Sequence, residues 1–152
     1  MHLITESLLV GNLDDAQNLI PAIGGLLFVA EEFTVCPPAW IDYTKIPLRE
    51  FEEPDPVLLA RAVQWVEDHL PDNRVLVCCR AGMGRSVSVV IAYLCCVQGM
   101  TYQDAVMLAK TRRPGAIPLP RLQQVIEKVL KIRAFEAGNR AEFPTVQKPR
   151  CA

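Results

Sequence analysis

The chain has 152 residues, of which 51% are hydrophobic and 22% charged, with 16 basic against 17 acidic side chains and a formal net charge of −1. That length fits one compact domain with a sizeable core and is short for two. The near balance of charge argues against a broad nucleic-acid surface, which needs a clear basic excess. The longest apolar run, 87–97, is about half the length of a bilayer span and reads as a buried helix, so no membrane span is expected.

The six cysteines, Cys36, Cys78, Cys79, Cys95, Cys96 and Cys151, fall as two adjacent pairs and two singles, which is not the pattern of a disulfide framework. There is no Cys-x-x-Cys pair, and the histidines are His2 and His69, so no metal or other cofactor is expected. No secretory leader is read at the start, and a reducing, cytoplasmic setting is expected.

In chain order, residues 4–10 are apolar and end at a Gly-Asn turn signal, which predicts one or two short strands, and 14–19 a short helix. Residues 26–30, after Gly24 and Gly25, predict a strand, and 40–47 return to extended structure after Pro37 and Pro38. An acidic loop spans 49–56. Asp55 before Pro56 is a helix start, and Leu58, Leu59, Ala62, Val63 and Val66 then recur at helical spacing to about His69. Residues 74–78 predict a short strand covered on both faces. Further helices are expected over 85–98, closed by Gly99, from Thr101 to near Arg112, and over 118–135. Strands alternating with helices predict an α/β fold around a central, mostly parallel sheet of four to five strands flanked by helices, with a domain at 1–136 and a polar, loose tail at 137–152.

The informative stretch is Val-Cys-Cys-Arg-Ala-Gly-Met-Gly-Arg-Ser at 77–86, between the buried strand and a buried helix. Ligands of open α/β sheets bind at the carboxyl ends of strands, where a helix N-terminus offers free N–H groups. Gly82 and Gly84 let the backbone of Arg80, Ala81, Gly82, Met83, Gly84 and Arg85 curl into an anion cradle sized for phosphate. Cys79 starts the loop, so its sulfur can lie at the cradle floor as a stabilised thiolate. Arg85 offers a planar fork to two phosphate oxygens, and Ser86 a hydrogen bond to the sulfur. A lone cysteine at a strand end is usually core, and two loop glycines usually just a turn. The conjunction of cysteine, arginine and hydroxyl at these offsets outweighs those readings. No Gly-Lys-Ser/Thr follows, and the glycine spacing does not suit a dinucleotide.

Residues Cys79 to Ser86 match the C-x5-R-[S/T] signature of the protein tyrosine phosphatase superfamily, and the chain resembles its small dual-specificity branch over roughly 3–135. Leu-Leu-Val-Gly-Asn at 8–12, Ile-Ala-Tyr-Leu at 91–94 and Arg-Arg-Pro-Gly at 112–115 are similar to flanking pieces of that family. The resemblance implies hydrolysis of phosphotyrosine, and of phosphoserine or phosphothreonine, through a phosphocysteine intermediate. It implies a general acid upstream, usually aspartate, and alignment through Phe51 and Pro54 puts Glu50 there. Asp55, which also reads as a helix cap, and Asp42 are the other candidates. The family's histidine before the nucleophile is replaced by Cys78, a weak donor. Expected partners are a phosphorylated protein or a small phosphomonoester, with no nucleic acid, and the expected state is a monomer. Arg80 hints at a polyphosphorylated substrate such as a phosphoinositide, while Arg112, Arg113 and Arg121 are candidates for the rim. The alternatives are a catalytically weak phosphate-binding module, a phosphatase of phosphoinositides or other non-protein phosphomonoesters, and a sulfur-transfer or arsenate-reducing enzyme.

Overall fold

The structure, a computed structural model, describes residues 1–139. Its strands are β1 (His2–Leu3), β2 (Leu8–Gly11), β3 (Gly25–Ala30), β4 (Asp42–Leu48) and β5 (Val75–Cys78). Its helices are α1 (Leu13–Gln17), α2 (Pro56–His69), α3 (Arg85–Cys96), α4 (Tyr102–Arg112) and α5 (Leu122–Asn139). The five strands form one sheet in the order β1-β2-β5-β3-β4. The β1–β2 pair is antiparallel and every other pair is parallel. This is the mostly parallel, helix-flanked sheet expected from the alternation of elements.

Each residue of β2, β3 and β5 is buried, as strands covered on both faces require. Helix α2 starts where the sequence says it should: the Asp55 carboxylate accepts from the N–H groups of Val57 and Leu58, and Pro56 supplies the first turn. Helix α3 is buried around its whole circumference from Arg85 to Leu94, which makes it the central helix of the packing. It contacts β2, β3 and β5 on one side and α2, α4 and α5 elsewhere.

Both ends of α5 differ from expectation. Helix α5 begins at Leu122 rather than near 118, because a residue before proline is biased away from helical backbone and Arg121 stands at φ 55°. It then continues to Asn139, so positions 137–139 of the expected tail are helical, and the remainder of that tail lies outside the described residues. Among the described residues Cys78, Cys79, Cys95 and Cys96 are free thiols.

The register sets the site. Gly11 pairs with Cys78, Cys78 with Phe28, and Ala30 with Leu48. Four parallel strands therefore end on one edge, and the residues that follow them, Asn12, Glu31 and Glu32, Arg49 to Phe51, and the loop from Cys79, emerge there together.

Candidate active site

Cys79 leaves β5 with 2% of its surface exposed, its N–H donating to the Gly11 carbonyl at 3.3 Å. The five carbonyls that follow are each held from outside the loop. Leu13 N–H donates to Arg80 O at 3.1 Å, Arg113 Nη2 to Ala81 O at 3.3 Å, and Arg113 Nε to Gly82 O at 3.1 Å. Ile117 N–H donates to Met83 O at 2.9 Å, and Ser88 donates from both its N–H and its Oγ to Gly84 O. In a trans peptide the C=O and the next N–H point in opposite directions. Holding these carbonyls outward therefore turns the N–H groups of Ala81, Gly82, Met83, Gly84 and Arg85 inward. Among the described residues none of the five has a backbone acceptor. The result is a nest of converging donors at the N-terminus of α3.

Gly82 makes the reversal possible. Its φ is 69°, and a Cβ there would lie 2.7 Å from both the carbonyl carbon and oxygen of Gly11, so both conformation and space demand glycine. The Ser86 hydroxyl, fully buried, lies 3.3 Å from Cys79 Sγ. Cys78 is fully buried, and burial pushes its thiol well above its ordinary value.

Arg85 is the largest of the fully buried side chains. Its Nη1 and Nη2 each donate to a different oxygen of Glu32 at 2.6 Å, and Nη1 also donates to Leu48 O at 3.2 Å. A guanidinium has five N–H groups. Glu32 takes its end and Leu48 a further Nη1 hydrogen, which leaves the Nε–H and the second Nη2 hydrogen sharing the remaining edge for two oxygens of an anion. Glu32 is the residue that sequence reasoning missed: it is 53 positions from Arg85. The signal was there in the acidic pair Glu31 and Glu32 just past the predicted strand at 26–30. The hydrogen bonds from Arg85 hold the Glu32 carboxyl down at about 2, against desolvation. Burial opposes the charge of Arg85, but the hydrogen bonds and charge of Glu32, helped by Cys79 and Glu50, outweigh it and raise its pKa further.

Of the three acid candidates, Glu50 comes to the site. Its Oε2 lies 3.8 Å from Arg85 Nη2 and 3.9 Å from Arg80 Nη1. Asp55 is occupied as the cap of α2. Asp42 pairs with Gly25 at the amino end of β4, across the sheet from Cys79. The Arg80 side chain, 63% exposed, pairs with Glu50, and Arg113 braces the loop rather than lining a rim. The mouth is a cavity of about 280 Å³ whose lining includes Glu50, Cys79 and Arg85 at its base with Phe51, Met83 and Ile117 around them. Those three apolar side chains are exposed, and Phe51 stands at φ 63°. Among the described residues no group of three or more His, Cys, Asp or Glu could hold a metal ion, and no helix is long and apolar enough to cross a membrane.

The family model described as dual specificity phosphatase, catalytic domain, matches residues 30–129. The chain is 33% identical over 98 residues to dual specificity protein phosphatase Mpk3 of Drosophila melanogaster, covering 61% of this chain and 24% of that protein. It is 28% identical over 146 residues to human dual specificity protein phosphatase 8, covering 90% of this chain and 23% of that one. It thus spans about a quarter of the length of these relatives. The crystal structure of human DUSP28 superimposes with a TM-score of 0.77 at 19% identity, covering 90% of this chain and 99% of that one. The crystal structure of DUSP15 gives 0.76 at 23% identity, covering 93% and 96%. The chain belongs to the dual specificity phosphatase catalytic-domain family, within the protein tyrosine phosphatase superfamily.

Proposed function

We propose that this chain is a metal-independent phosphatase that hydrolyses phosphotyrosine, with phosphoserine and phosphothreonine as further substrates, through a phosphocysteine on Cys79. The observation that carries this reading is the buried Cys79 Sγ at the floor of five inward N–H groups, 3.3 Å from the Ser86 hydroxyl and beside the free edge of Arg85. The phosphoryl oxygens sit against the loop N–H groups and Arg85. Cys79 Sγ attacks phosphorus as the P–O bond to the substrate breaks, and Glu50 gives its proton to the departing oxygen. Glu50 then takes a proton from water as that water attacks phosphorus. The P–S bond breaks, inorganic phosphate leaves, and the returning thiolate is stabilised by the Ser86 hydroxyl.

The mouth speaks for a protein substrate over a polyphosphorylated one. Its walls include Phe51, Met83 and Ile117, exposed apolar side chains that offer a second phosphate no cationic partner. Arg80 is partnered by Glu50 rather than free for such a phosphate. The free thiols of Cys78, Cys79, Cys95 and Cys96 suit a reducing, cytoplasmic setting.

Hydrolysis of an aryl phosphate that is blocked by vanadate, unaffected by EDTA and lost in Cys79→Ser is the expected result. Full activity in Cys79→Ser refutes the reading, and turnover at background with micromolar phosphopeptide binding favours a binding module instead.

A further inference from the structure

We propose that Arg113 is a positioning residue that aims the oxyanion donors of the phosphate loop, an inference that rests on that loop receiving a phosphoryl group. Arg113 follows the last residue of α4 and sends its side chain under the loop. Nε donates to Gly82 O at 3.1 Å and Nη2 to Ala81 O at 3.3 Å, while Nη1 ties the fork to its own segment through Pro114 O at 2.9 Å. The two loop carbonyls it holds belong to the same peptide units as the Gly82 and Met83 N–H groups. Two of the five inward donors are therefore aimed by this one side chain. The others are aimed by Leu13, Ile117 and Ser88.

Three features make Arg113 more than a packing contact. The peptide units it grips flank Gly82, whose φ of 69° is a conformation that no side chain of its own helps to hold. Among the described residues, no carboxylate lies within 4.0 Å of Arg113, so its charge is not spent on an ion pair. That charge sits at the carbonyl ends of the two peptide dipoles and reinforces their N–H ends toward the anion. Finally, the residue before the nucleophile is Cys78, a weak donor with no hydrogen bond from its thiol among the described residues, so ordering of the loop falls to the braces outside it. A lysine would keep the charge but could not span both carbonyls with a planar fork.

The test is tungstate affinity, read by calorimetry in a Cys79→Ser background where no turnover occurs, for Arg113→Ala, Arg113→Lys and Arg112→Ala. Arg112 carries the same charge one residue away and is exposed. Arg113→Ala is expected to weaken tungstate by at least about tenfold, from two misaimed donors to a charged ligand. Arg113→Lys should recover part of that loss, and Arg112→Ala should change affinity by less than about twofold. Unchanged affinity in Arg113→Ala overturns the proposal, as does an equal loss in Arg112→Ala, which would mean a general charge effect. If Arg113→Ala does not fold, Arg113→Lys decides: affinity equal to the parent overturns the proposal. Tungstate binding without any turnover in the Cys79-bearing protein would sink the phosphatase reading and leave this one standing.

Discussion

Among single residues, two carboxylates beside Arg85 take different parts. Glu32 and Glu50 both face Arg85, at 2.6 Å and 3.8 Å. Glu32 is paired end-on and its carboxyl is held at about 2, so it stays ionised and serves as an anchor. Glu50 makes the longer contacts and lines the mouth, where a leaving oxygen would be. Glu50→Gln should therefore cost more with a poor leaving group than with a good one; equal losses across a leaving-group series would remove Glu50 from proton transfer. Glu32→Gln should lower stability in a pH-dependent way. A carboxyl depressed in the folded state contributes stability that is fully present above its unfolded value, near 4.5, and fades as pH falls toward about 2. Urea midpoints of wild type and Glu32→Gln should differ at pH 7 and converge near pH 2. The gap should shrink in high salt, because the Glu32 side chain is 41% exposed. A gap that widens on acidification would contradict the assignment.

At the scale of elements, the loop from Cys79 to Ser86 is held by what lies outside it. Gly82→Ala would place a methyl against the Gly11 carbonyl and force a non-glycine residue to φ 69°, at about 1–2 kcal/mol for the backbone alone. We expect oxyanion binding to be lost while the fold survives. Asp55→Ala is the contrasting case: it removes the cap of α2 at about 1 kcal/mol and should lower the thermal midpoint with little change in kcat/KM. If Gly82→Ala bound oxyanions normally, the inward-donor geometry would be wrong. The loop is also where the sequence was most readable, since its chemistry is contained in consecutive residues. Strands with unbroken apolar runs, such as β3 and β5, and the capped start of α2 were readable for the same reason. What escaped are relations across the chain. Glu32 reaches Arg85 from 53 positions away, and Arg113 reaches the Gly82 carbonyl from 31 away. Side chains of that kind look like ordinary solvated charges until the sheet register brings strand ends together. The start of α5 differs from the expected 118 because the chain reaches the helix through Pro118, Pro120 and Arg121 at φ 55°.

At the scale of the whole molecule, the parallel sheet is a device for convergence: β2, β3, β4 and β5 end on one edge and deliver a donor nest, an arginine with its anchor, and a carboxylate. The central helix α3, buried over Arg85 to Leu94, joins that edge rigidly to the core. We propose that this convergence makes Cys79 a nucleophile toward phosphorus. Rapid acid quench of the protein with a radiolabelled aryl phosphate, followed by peptide mapping, tests it most directly. Label on the peptide carrying Cys79, formed before phosphate release and absent in Cys79→Ser, is the predicted result; turnover with no labelled protein, or label on another residue, would contradict it.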